Sequence, residues 1–174
     1  MDIVISNLDM VPYHVRNDGI THVLSLLRGR EFNGLRMPDG VPVAGHLRVD
    51  MDDVIDQDAP MAPTRGQVEE ILDWGKGLPS DARVLVHCYA GVSRSTAAAL
   101  ALMVQDMGIN RVGDAVSRLL DIRPIACPNP LITMHADDIL GCGGELHSSA
   151  EVVASKRLFK LYGGDPTERS HMGQ

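Results

Sequence analysis

Val84-Leu85-Val86-His87-Cys88-Tyr89-Ala90-Gly91-Val92-Ser93-Arg94-Ser95-Thr96 reads as a buried strand, a loop of small residues and the start of a helix. The Ala/Leu/Met-rich segment 95–107 has high helix propensity, stops at Gly108 and is apolar nearly all round, which predicts a buried central helix. Where such a loop wraps onto a helix N-terminus, several backbone N–H groups can converge on one point and the helix dipole adds positive potential, an arrangement suited to a phosphate dianion. Cys88 begins the loop, so the same field stabilises its thiolate; helix N-termini and nearby arginines can lower a cysteine pKa to about 3.5–7.5 from about 8.5. Arg94, six positions further on, carries a planar fork that can hold two phosphate oxygens at once, which lysine cannot do equally well.

Around this stretch the pattern is one of alternation. Four β-rich runs, 3–6, 22–26, 46–49 and 83–86, alternate with segments of helical periodicity, which predicts an α/β domain with a central, mainly parallel sheet of four to five strands flanked by helices. Pro12 suits the first turn of a short helix that stops at Gly19. Thr64 and Gln67 form a capping-box pattern ahead of Val68, Ile71 and Leu72, and Gly75 and Gly77 end that helix. A further helix is expected over 112–122, with Val112, Ala115, Val116, Leu119 and Leu120 facing the core and Arg123-Pro124 ending it. Asn129 as N-cap and Pro130 in the first turn open another, running to Gly141. Residues 151–162 can form an amphipathic helix, and 163–174 read as a loose tail, so 1–162 is expected to be one domain.

Composition narrows the function classes. The 174 residues carry 16 Lys plus Arg against 23 Asp plus Glu, a formal charge of -7, with a pI near 5.4. That argues against nucleic acid or an anionic membrane as the main partner. Aromatic residues are only 3%, so stacking platforms are not expected. The N-terminus shows no basic leader, and the longest apolar stretch, 97–104, is far short of a membrane span; the chain is expected to be cytoplasmic. Cys88, Cys127 and Cys142 are an odd set without Cys-x-x-Cys spacing, which suggests neither a disulfide framework nor a zinc site. Oligomeric state is not set by the sequence.

His-Cys-x5-Arg-Ser resembles the signature of the cysteine-dependent protein tyrosine phosphatases, and most of residues 1–160 resembles their dual-specificity branch. Gly19-Ile20-Thr21-His22-Val23-Leu24, and Arg123 with Pro128-Asn129, carry the likeness further; the loop itself is most similar to compact bacterial members. The resemblance implies a phosphomonoester hydrolase without metal or cofactor, acting on a phosphorylated protein or small phosphoester. By it, Cys88 would be the nucleophile, Arg94 the phosphate clamp and Tyr89, Ala90, Gly91, Val92 and Ser93 the rest of the phosphate loop. Ser95 would ease departure of the thiolate, His87 would orient the loop and lower the thiol pKa, and Asn129 would brace the loop from behind. Arg123 is either a support of the loop or an exposed helix-end arginine, and Tyr89 either a substrate contact or a rim residue.

The family draws its general acid from an Asp on a loop before the cysteine. Asp50, Asp52, Asp53, Asp56 and Asp58 all lie in that region. Matching His46-Leu47-Arg48-Val49 to the family's preceding strand selects Asp53, 35 positions before Cys88, with Asp56 as the alternative. Read as a calcium loop from Asp50, the cluster lacks glycine at its sixth position (Ile55) and glutamate at its twelfth (Met61). His22, His46, His135 and His147 have no partners at metal spacing. Cys127 and Cys142 are read as structural, with a disulfide to Cys88 as the alternative for either. Competing functions are a non-catalytic phosphate-reading module, or another Cys-x5-Arg enzyme such as a rhodanese-like sulfurtransferase or an arsenate reductase. No Lys lies between Cys88 and Arg94, which disfavours an inositol lipid.

Overall fold

A computed structural model describes residues 1–39 and 43–162. Four strands, β1 (Asp2–Ser6), β2 (His22–Leu27), β3 (Gly45–Asp50) and β4 (Arg83–His87), form a fully parallel sheet in the order β1-β4-β2-β3. The strand that leads into the phosphate loop is therefore internal, and His87 lies opposite Ser6 on one side and Ser25 on the other. Parallel strands covered on both faces read as continuous apolar runs, and the pleat divides them: Val84 and Val86 enter the larger core while Leu85 enters a smaller one with Val23 and Leu27.

The short helix α1 (Val11–Asn17) buries Val11 and Val15 in that smaller core. The remaining helices, α2 (Arg65–Lys76), α3 (Arg94–Met107), α4 (Val112–Ile122), α5 (Pro130–Leu140) and α6 (Glu145–Tyr162), contribute to the other side. The Thr64–Gln67 capping box forms as expected, and Val68, Ile71 and Leu72 are buried. Every residue of α3 from Arg94 to Val104 is buried. This makes α3 the central helix, and it fixes the direction in which its N-terminus points.

Two expectations need correction. Leu120 is 37% exposed and stays out of the core, because Val112, Ala115 and Leu119 already fill the buried stripe of α4. The last helix starts at Glu145 and not at 151. Its cap is not local: the Asp137 carboxylate, on α5, accepts from the N–H groups of Gly144 (2.6 Å) and His147 (3.1 Å), while Gly143 and Gly144 turn the chain with positive φ. The tail reading for 163–174 lies outside the described residues. Among the described residues no helix is long and apolar enough to cross a membrane.

Candidate active site

Cys88 follows the last residue of β4 and is 1% exposed. Between it and α3 the chain makes one tight loop in which successive carbonyls are tied on the outside. Tyr89 O accepts from Leu8 N (3.0 Å), Ala90 O and Gly91 O from the Arg123 guanidinium (3.4 and 2.8 Å), Val92 O from Cys127 N (2.9 Å) and Ser93 O from Asn129 N (3.4 Å). Thr96 Oγ1 donates to the last two as well. In a trans peptide the N–H opposes the C=O, and no cis bond occurs among the described residues. Turning these carbonyls outward therefore turns the N–H groups of residues 90–94 inward, and one of them, Gly91 N–H, donates to Cys88 Sγ at 3.2 Å. Gly91 is required twice over: its φ is +69°, and a Cβ there would lie 2.6 Å from the carbonyl carbon and oxygen of Ser6.

Arg94 is 3% exposed. Its Nη1 donates to Met51 O (2.8 Å) and to Glu31 Oε2 (3.1 Å), which fixes the guanidinium plane. Its Nε is buried and has no hydrogen-bond partner among the described residues. A buried guanidinium N–H without an acceptor is costly, and here it belongs to the group best suited to a phosphate oxygen. Ser95 Oγ, fully buried, sits 3.2 Å from Cys88 Sγ.

His87 lies behind the loop. Its Nδ1 faces Cys88 O at 3.4 Å and its Nε2 faces Ser25 Oγ at 2.6 Å, which in turn meets His46 Nε2 at 2.8 Å. Burial pushes the His87 pKa down to about 4, with His46 and Arg94 adding to the effect and the bond to the Cys88 carbonyl opposing it. His46 is also pushed down to about 4, by burial and then by Arg48. Both rings are therefore neutral near neutral pH. His87 has the position expected of it, but it offers a hydrogen bond to the Cys88 carbonyl and no cationic charge to the thiolate.

Of the five clustered aspartates, only Asp53 reaches the loop. Its Oδ1 accepts from Ser93 Oγ (2.6 Å) and Asn129 Nδ2 (3.0 Å), and its Oδ2 lies 4.0 Å from Arg94 Nε. Asp50 accepts from Gly29 N and Asp52 pairs with Arg28, while Asp56 turns back on its own segment and accepts from Asp58 N. Asn129 meets the phosphate loop through its backbone N–H, which donates to Ser93 O, while its side chain donates to Asp53 and to Val54 O and caps α5. Arg123 takes the supporting position. Tyr89, 60% exposed, stands at the rim. Cys127 and Cys142 are free thiols, each with its pKa raised first by burial. Among the described residues no group of three or more His, Cys, Asp or Glu is placed to hold a metal ion.

Three contributors were not visible in the sequence. Glu31 comes from a short 3-10 helix, Gly29–Gly34, 63 positions from Arg94. Ser25 and His46 meet because β2 and β3 are neighbours in the sheet, a pairing that the sequence alone does not specify.

No known family profile matches the sequence. A "Probable dual specificity protein phosphatase" of Dictyostelium discoideum is 31% identical over 110 residues, 63% of this chain and 25% of that protein. The phosphatase domain of Yvh1 from Chaetomium thermophilum superposes with a TM-score of 0.55 at 25% identity, covering 83% of this chain and 92% of that one. In sequence and in fold the chain resembles the dual-specificity branch of the cysteine-dependent protein tyrosine phosphatase superfamily. Human tyrosine phosphatase-like serine/threonine/tyrosine-interacting protein shares the fold and superposes with a TM-score of 0.62 at 21% identity, over 79% of this chain and 89% of that one. The chain spans about a quarter of the length of the curated relative it matches. The bacterial likeness of the phosphate loop stays an expectation.

Proposed function

We propose that residues 1–162 form a catalytic domain that hydrolyses phosphomonoesters through a cysteinyl-phosphate. The observation that carries this reading is the cradle itself: loop N–H groups turned inward around Cys88 Sγ, with the buried Arg94 Nε–H left to donate to a phosphate oxygen. Cys88 Sγ attacks phosphorus in line, the P–S bond forms as the P–O bond to the leaving group breaks, and Asp53 gives its proton to the leaving oxygen. Water then attacks phosphorus; Asp53, now a carboxylate, takes one of its protons, and the P–S bond breaks to return the thiolate, which Ser95 Oγ is placed to receive with a hydrogen bond. The loop amides and Arg94 stabilise the charge spread over the equatorial oxygens in both transition states.

Asp53 is favoured over Asp56 as the acid because Ser93 and Asn129 hold it against the loop. The substrate class is a phosphorylated protein or a small phosphoester. The test is incubation with p-nitrophenyl phosphate at mildly acidic pH, alongside thiosulfate plus cyanide. Phosphate release from the first and no thiocyanate from the second is the expected result. Thiocyanate formation would identify a sulfurtransferase, and phosphoester binding without release would identify a phosphate-reading module.

A further inference from the structure

Beside the phosphate loop lies a second concavity of about 250 Å3, walled by Ser93, Ile55, Cys127, Pro130 and, on α6, Ala154 and Leu158. It is continuous with the catalytic machinery through two residues. Ser93 precedes Arg94 and holds Asp53, and Ile55 lies two positions beyond Asp53. The concavity therefore adjoins the position of a phosphate held in the loop. Its walls are mainly apolar, Ile55 is 74% exposed and Leu158 48% exposed, and the only charged lining residue is Glu151. The hydrophobic effect drives burial of such surface by an uncharged side chain, whereas a carboxylate entering beside Glu151 would lose hydration and meet a like charge. The volume suits one aliphatic or aromatic side chain.

We infer that this concavity is a specificity subsite for an apolar side chain adjacent to the phosphorylated residue of a protein substrate. The inference rests on the phosphatase reading above and gives it a substrate preference. The part of α6 beyond Glu151 supplies Ala154, Ser155 and Leu158, so this helix acquires a role in recognition besides its packing.

The test uses phosphotyrosyl and phosphoseryl peptides that differ only in carrying leucine, alanine or glutamate immediately before or after the phosphorylated residue. Their kcat/KM values are read relative to p-nitrophenyl phosphate. Leucine is expected to exceed glutamate by about tenfold or more at one of the two flanks. Leu158→Glu should bring that ratio to about one or below, whereas Phe159→Glu, on an exposed neighbour outside the concavity, should keep it. Equal kcat/KM for leucine and glutamate peptides at both flanks, or a preference unchanged in Leu158→Glu, overturns the subsite. Failure to hydrolyse any of the substrates, p-nitrophenyl phosphate included, counts against the phosphatase reading instead. In that case the same peptide series, followed by fluorescence anisotropy as binding, still shows whether leucine is preferred and whether Leu158→Glu removes the preference.

Discussion

Residues 88–95 and the segment between β3 and α2 meet at Ser93 and Arg94, yet they are held in different ways. The phosphate loop is tied at five successive carbonyls, runs into the most buried helix of the molecule and leaves Gly91 no room for a side chain. The aspartate segment is buried only at its two ends, at Met51, whose carbonyl meets Arg94, and at Ala62 and Pro63; between them the chain is largely exposed, closes on itself through Asp52 N to Met61 O with Met61 at a left-handed φ of 62°, and reaches the loop through the Asp53 carboxylate. The difference matches the two tasks that the proposed mechanism sets. Transition-state charge needs dipoles fixed in advance, whereas a proton donor has to accommodate different leaving groups and can sit on a segment with few contacts.

Substitutions can break each half of this comparison separately. The largest effect should come from the rigid half: Cys88→Ser should lower turnover by about 10^5-fold or more while phosphoester binding stays measurable by calorimetry, and Arg94→Lys should lower it by about 10^2 to 10^3-fold. Next, Asp53→Asn should lower hydrolysis of an alkyl phosphate by about 10^2 to 10^4-fold, with a smaller loss on p-nitrophenyl phosphate, whose leaving group needs less help. Asp56→Asn should leave both rates unchanged, and the reverse pattern between the two variants would assign the acid to Asp56. Ser93→Ala removes one of the two hydrogen bonds that hold Asp53, so about a two- to tenfold loss is expected, consistent with a hydrogen bond worth about 0.5–1.5 kcal/mol; rates with good and poor leaving groups should separate in the same direction as for Asp53→Asn.

The smallest effect concerns the support behind the loop. His87 and His46 hold folded pKa values near 4 against an ordinary 6.5. As pH falls from 6.5 towards 4 the unfolded chain takes up protons that the folded one does not, so the stability present above 6.5 is lost across that window. Urea midpoints measured between pH 7 and pH 4 should fall less steeply in His46→Gln than in the wild type, whereas equal slopes would mean that His46 is not buried in its neutral form.

The contrast also explains what could be read from the sequence. The strand, loop and helix of 84–107 are contiguous, so apolar strand residues, glycine and an Ala-rich helix state their own structure, and Cys88, Arg94 and Ser95 come with them. The capping residues Thr64 and Asn129 were legible for the same reason, since each bonds within three residues of itself. What escaped was non-local. Glu31 reaches Arg94 from a distant turn, His46 reaches Ser25 through strand order, and Asp137 caps α6 from the helix before it. Leu120 was assigned to the core from helical spacing alone, but spacing gives a face and not the width of the stripe that is buried. The bonds from the Asn129 side chain to Asp53 and Val54 O are likewise invisible in the sequence, because the path of the aspartate segment is set by tertiary contacts.

In the proposed mechanism phosphate passes through Cys88. Rapid acid quench during turnover of a phosphorylated substrate, followed by proteolysis and mass spectrometry, tests it most directly. Phosphate on the peptide that contains Cys88, absent from Cys88→Ser and enriched in Asp53→Asn with p-nitrophenyl phosphate, where loss of the base slows hydrolysis of the intermediate, is the predicted result. Steady phosphate release with no label on Cys88, or with label on another residue, would contradict it.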